Sequence, residues 1–243
     1  MRDPYEGEVP KAIKQLLLSK GGSENLDIFL DMFEQARYIS FLNCWHLGDS
    51  ESAAMWDLYG RSDRSIAIKS TVGDLADALI ENNNFPFTFG EVSYMDYKSG
   101  LYELDDESLN TIEEKIINRK GMNAKQMLHI KRDSFRHEKE GRVQIQFISL
   151  IAQDYEEIQE MKDYQLPFGL KPSENVGFGG FVPDKSGFNV DIEIDDLINE
   201  IYIAPDAPDW VVSSIKSTLA NRTDLDLGFT DVIQSELYDP PRE

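Results

Sequence analysis

The stretch Glu138–Ile148 limits what this chain can become more than any other. Gly141, Val143, Ile145 and Phe147 fall on one side of an extended backbone, and Glu138, Glu140, Arg142, Gln144 and Gln146 on the other. That alternation matches the two-residue period of a strand and not the 3.6-residue period of a helix. A strand patterned this way must lay its apolar face on a core, so the chain needs a sheet and something to cover it.

The flanking sequence supplies both. Pro10–Lys20 carries Ile13, Leu16, Leu17 and Leu18 at helical spacing, with Gly21-Gly22 as its stop, and the spacing resumes over Leu26–Tyr38. The apolar, aromatic run Tyr38–His46 reads as a buried strand. Asp49–Gly60 reads as a compact helix, capped by Asp49 or Ser50, with Glu51 in its first turn. Ser65–Ser70 and Phe87–Tyr97 read as strands. Val72–Glu81 and Glu103–Asn118 read as helices, the second packed through Leu104, Leu109, Ile112 and Ile116. Pro167–Gly187 is rich in Gly, Pro, Asn and Ser and reads as a long loop. Strands at Phe188–Ile194 and Glu200–Ala204, a helix at Asp209–Asn221 and a strand at Asp231–Ser235 complete the chain. The expectation is one α+β or mixed α/β domain over residues 1–243. It has a helical N-terminal part (1–37) and a body (38–243) built on a central mixed sheet of about six strands with flanking helices.

Charge narrows the function. Twenty-four Lys and Arg against 45 Asp and Glu leave a formal charge of −21. Such a surface repels phosphate backbones and anionic lipid, which sets aside direct nucleic-acid and membrane-surface binding. Hydrophobic residues make up 41% of the chain, enough for a core and too many for global disorder. Cys44 is the single cysteine, so there is no internal disulfide framework. No apolar run reaches 18 residues and no signal peptide opens the chain, so the expected location is cytoplasmic.

Three constellations could carry chemistry. Glu138, Glu140 and Arg142, spaced two residues apart on a strand, project from one face, where two carboxylates and a guanidinium could hold a ribose, a cation or a polar substrate. The plain alternative is a solvated face with local pairing. Trp45, Trp56 and Tyr59 could wall a ligand pocket or simply pack a core. His46 and Glu51 flank the start of the second helix: His46 could act as a general base or be a hydrogen-bonded structural histidine, and Glu51 could meet a substrate or complement the helix dipole. Cys44, in an apolar run, reads as buried and inert. His46, His129 and His137 show no zinc spacing, so no metal is assigned. Gly177-Phe178-Gly179-Gly180 lacks the Lys-Ser/Thr of a phosphate loop, and the acidic run Asp191–Asp196 lacks the glycine and glutamate spacing of a calcium loop.

Taken together, several stretches resemble one family. Cys44-Trp45-His46 running into Glu51-Ser52 and Met55-Trp56 with Tyr59, then Ile66-Ala67-Ile68-Lys69-Ser70-Thr71, is similar to the core signature of the prokaryotic family called domain of unknown function 2971. Val92–Tyr97, Lys131–Arg142 and Ile201–Pro208 resemble later motifs of that family in the same order. Gly141 departs from the pattern, standing where the family usually places a large apolar residue. Asp3-Pro4-Tyr5-Glu6-Gly7 resembles a motif internal to family members. On that likeness the chain would lack a first strand and expose an open sheet edge, to be filled by a homodimer partner or another protein.

The motif order is also similar to that of ADP-ribosyltransferases, in which an aromatic residue packs on nicotinamide and a strand Glu-x-Glu stabilises the ribosyl cation. This likeness implies a nucleotide- or dinucleotide-pocket enzyme with NAD as cofactor, inactive or completed by a partner if the early strand is gone. It fits catalytic roles for Glu138 and Glu140 and substrate contacts for Trp56, Tyr59 and Arg142; the reading of the residues themselves adds His46 as a catalytic base and Trp45 and Glu51 as substrate contacts. The competing expectation is a non-enzymatic acidic protein, an inhibitor, antitoxin-like subunit or nucleic-acid mimic in a defence setting, steered by its charge to a basic partner.

Overall fold

A computed structural model describes residues 3–38, 40–60, 62–81, 87–118, 121–122, 124–146, 170–172, 181–183, 190, 192–221 and 231–240. The architecture is mixed α+β, as expected, but the strands are dealt into several small sheets instead of one central sheet. The chain divides into two compact units: Met1–Leu47 with Phe85–Phe188, and Gly48–Asn84 with Asn189–Glu243. Among the described residues, no helix is long and apolar enough to cross a membrane.

In the first unit, Glu140–Gln146 is the middle strand of a three-stranded antiparallel sheet, between Ser40–His46 and Phe87–Glu91. The register sets Arg142 opposite Cys44 and Gly90, Glu140 opposite His46, and Gly141 opposite Trp45 and Glu91. Val143 and Ile145 are buried, as their alternation requires; Phe147 and Ile148 lie outside the described residues. Beside this sheet, Ser93–Met95 pairs in parallel with Ile130–Arg132. The N-terminal helix corrects the sequence reading, because Lys11–Tyr38 is one helix and Gly21-Gly22 does not stop it. Two interior glycines cost about 1 kcal/mol each against alanine. Ile13 and Leu17 before them and Phe33 after them belong to one buried cluster with Met95, Ile112, Ile116, Met127 and Ile130, and that packing outweighs the local preference. Ile112 and Ile116 do anchor the acidic helix, which begins at Asp106 under a cap from the Asp105 side chain, 2.8 Å from the Ser108 N–H.

In the second unit, Glu200–Ile203 lies between Asp231–Gln234, parallel to it, and Ile66–Lys69, antiparallel to it. The helix Asp209–Ala220 joins the parallel pair and packs Val211 on Ile203, Ala204 and Ala207. Val72–Glu81 is helical as expected. Two local readings are corrected. The segment read as a helix from Asp49 starts only at Ala53, runs to Met55 and widens into a π-type turn over Trp56–Gly60, so Glu51 precedes the helix. Ile194 opens a short helix, Ile194–Leu197, instead of ending a strand, and Asp195 and Asp196 in its first turn complement the exposed N–H groups there. The Gly177–Gly180 segment and most of the expected Pro167–Gly187 loop lie outside the described residues.

Candidate functional site

The expected Glu138–Glu140–Arg142 face forms by a different route. Glu138 is not on the strand; it ends a 3-10 turn, Asp133–Glu138, and Lys139 at φ 39° swings the chain through the left-handed region into the strand at Glu140. The two glutamates nonetheless meet, because Lys131 reaches both, donating to Glu138 and, at 3.1 Å, to Glu140. Arg142 grips Glu140 through two bonds, Nε to Oε1 at 3.0 Å and Nη2 to Oε2 at 2.9 Å. It also donates to the Leu128 carbonyl and to Glu6. The Tyr94 hydroxyl accepts the Glu140 N–H at 2.8 Å.

This face is not solvated. Arg142 is fully buried, and Glu6, Lys131, Glu138, Glu140 and Gln144 are buried with it. Three carboxylates (Glu6, Glu138, Glu140) face two cations (Lys131, Arg142), one negative charge in excess. Burial would raise the Glu140 carboxyl, but the Arg142 hydrogen bonds and charge override it and hold it at about 2. For Lys131, burial opposes ionisation, yet the bond to Glu138 and the charge of Glu140 hold its ammonium up at about 12. Glu140 and Lys131 are thus each held ionised by their neighbours.

Around this network the other expected residues sort themselves. His46 Nδ1 lies 2.7 Å from the Glu138 carbonyl, which can only accept, so Nδ1 carries the proton and the ring is held as a structural donor. Cys44 is an exposed residue, contrary to its sequence reading, but burial of its thiol and a hydrogen bond to Glu140 push the thiol up to about 12, far from nucleophilic. Trp45 takes the opposite sheet face, with Gly141, and bonds Asn43. Gly141 itself is explained: a Cβ there would meet Leu47 Cδ2 and Phe89 Cζ at 2.9 Å, so those two side chains occupy the place a large residue would need. Sequence reasoning did not single out Glu6, Lys131 or Tyr94. Each lies inside a stretch that carries the family likeness, and a search there for opposite charges would have found Glu6 and Lys131.

The second unit gathers Glu51 and Trp56, whose indole Nε1 donates to Glu51 Oε2 at 2.9 Å. Trp56 packs one side on the Ile203 core and lines a groove with Asp57, Gly60, Ser62, Asp63, Ala204, Pro205, Asp206 and Tyr238. Tyr59 is 67% exposed and lies outside the groove. Among the described residues, no group of three or more His, Cys, Asp or Glu side chains is arranged to hold a metal.

Residues 55–143 match the family model described as protein of unknown function (DUF2971). That stretch carries the family read from the sequence. It spans Met55-Trp56 with Tyr59, the strand Ile66–Lys69, the Val92–Tyr97 motif and the Lys131–Arg142 motif that builds the buried network. Cys44-Trp45-His46 and Ile201–Pro208 fall outside it. No curated protein and no solved structure matches the chain.

Proposed function

We propose that this protein is an acidic binding module for a basic protein segment. The observation that carries the reading is how the described guanidiniums are spent. Arg37, Arg64, Arg132, Arg136 and Arg142 each sit within 4.0 Å of a carboxylate: Glu8, Asp63, Asp3, Asp133 with Glu107, and Glu6 with Glu140. Guanidiniums are the forked donors that grip a diphosphate best, and the described ones are engaged. The carboxylates that an ADP-ribosyltransferase-like enzyme would turn on a ribosyl cation, Glu138 and Glu140, are taken up by Lys131 and Arg142. The −21 charge, in contrast, is what draws a basic partner from solution. Ile66–Lys69, which among the described residues is at the edge of its sheet and has all four residues exposed, offers an extended segment a strand to pair with.

Thermal shift on the full chain tests this. A lysine- and arginine-rich peptide should raise the melting temperature at low ionic strength and lose the effect as salt is added, while NAD and ADP-ribose leave it unchanged. A saturable rise with NAD, or release of nicotinamide from it, would restore the transferase reading with NAD as cofactor.

A further inference from the structure

We infer that the groove at the carboxyl end of the parallel strands Glu200–Ile203 and Asp231–Gln234 takes the cationic head of a side chain, a guanidinium or an alkylammonium. The inference rests on the proposed binding of a basic segment and names the part of it that is read.

Position comes first. Both parallel strands leave the sheet at this end, one into Ala204-Pro205-Asp206 and the other through Ser235 toward Tyr238, with the helix Asp209–Ala220 making the crossover between them. In open sheets ligands are held outside the carboxyl ends of parallel strands, where diverging connections leave a crevice. The crevice is braced from below. Gln234 Nε2 donates to the Ala207 carbonyl at 3.0 Å, the Ser235 N–H donates to the Ile203 carbonyl at 2.9 Å, and Ala204 and Ala207 are buried.

Size and lining then choose the ligand. The groove holds about 260 Å³, just under the roughly 300 Å³ at which drug-sized pockets begin, so it suits one side-chain head and not a dinucleotide. Its lining includes two aromatic residues, Trp56 and Tyr238, and three acidic ones, Asp57, Asp63 and Asp206. Among the described residues neither Asp57 nor Asp206 has an ion-pair partner; the Tyr238 hydroxyl bonds Asp57. Arg64 stands 3.8 Å from Asp63, but its guanidinium lies over Trp210, 5.1 Å from the ring centroid. The Trp56 indole N–H is already given to Glu51, which fixes the ring as an apolar, electron-rich wall. Aromatic residues beside carboxylates that no described cation pairs, as at Asp57 and Asp206, attract a cation and repel phosphate.

The test titrates the full chain with acetyl-arginine amide and with its neutral isostere, acetyl-citrulline amide. The readout is the indole N–H resonance of Trp56, assigned through Trp56→Phe. The expected result is a saturable shift with the arginine probe and none with citrulline. Affinity should fall about two- to fivefold in Asp206→Asn, with an unchanged melting temperature. If Asp206→Asn does not fold, Asp57→Asn serves the same purpose. Equal response to both probes, or equal arginine affinity in the variants and the parent chain, overturns the groove. If basic peptides bind but do so independently of Asp57 and Asp206, the groove fails and the proposed function stands. If no basic peptide binds, both fail.

Discussion

Lys131 in the first unit and Lys69 in the second each hold a glutamate at close range, Lys131 on Glu140 at 3.1 Å and Lys69 on Glu200 at 2.8 Å. By distance the outer pair is the better one. The side chains of the inner pair are 8% and 9% exposed, however, and those of the outer pair 47% and 26%. Water and salt screen the outer charges and would rehydrate either one if its partner left. The inner charges have no such refuge, so each depends on its neighbours to remain ionised. Geometry alone does not rank ion pairs; the surroundings do, and they make the first a framework and the second a surface ornament.

Removing the centre of the framework should have the largest effect. Arg142→Met leaves Glu6, Glu138 and Glu140 buried around a single lysine, and should cost about 3–5 kcal/mol in denaturant unfolding. Adding Glu6→Gln to that variant should recover part of the loss, giving a double-variant cost below the sum of the two singles. Strict additivity would mean that Glu6 and Arg142 are not coupled through the network.

Acid probes the same framework less severely. Glu140 titrates at about 2 in the folded chain against an ordinary 4.5, so its stabilisation is complete above about pH 4.5 and drains away as pH falls toward 2. The full effect is on the order of 3 kcal/mol. Lys131 mirrors this at the other end: its contribution is complete below about pH 10.5 and is lost as pH rises through about 12. Chemical denaturation at a series of pH values should show both losses, and Glu140→Gln should flatten the acid limb. An acid limb unchanged by that substitution would assign the acid sensitivity to other carboxylates.

A smaller effect belongs to the sheet beneath the network. Gly141→Ala places a methyl 2.9 Å from Leu47 Cδ2 and Phe89 Cζ, both of which must give way, at about 1–3 kcal/mol of overpacking. Trimming Leu47 to alanine in the same chain should relieve its share of the clash and leave the contact with Phe89, so the unfolding midpoint should recover in part.

These contrasts also mark what the sequence could and could not show. The middle strand was legible because alternation is local: Val143 and Ile145 turn inward as their spacing requires. The polar face looked solvated because nothing nearby in the chain covers it. What covers it is Glu6, 136 residues from Arg142, and the carbonyl of Leu128. Lys139 hid the true start of the strand, since no pattern flags a left-handed lysine. At Gly21-Gly22 the local signal pointed the wrong way, because burial on both flanks overrode it. The groove was half legible: Trp56 was singled out early, while Asp206 and Tyr238 come from segments far along the chain.

The outer pair supplies the smallest expected effect and the sharpest form of the comparison. Glu200 has a second partner, the Tyr202 hydroxyl at 2.7 Å, and lies near solvent, so Lys69→Met strands nothing. The unfolding midpoint at 0.15 M salt should move little. The charge interaction is still real at the level of titration. The Lys69 bond is the main influence holding the Glu200 carboxyl below its ordinary value, with Tyr202 second. In Lys69→Met that carboxyl should therefore climb toward the ordinary range, followed by NMR titration, with only the small linked loss of stability that such a shift carries. A small effect in titration and in unfolding alike is what screening predicts for an exposed pair. If stability fell as far as it should for Arg142→Met, the strand Ile66–Lys69 would depend on its charges as the buried network does, and exposure would no longer separate the two pairs.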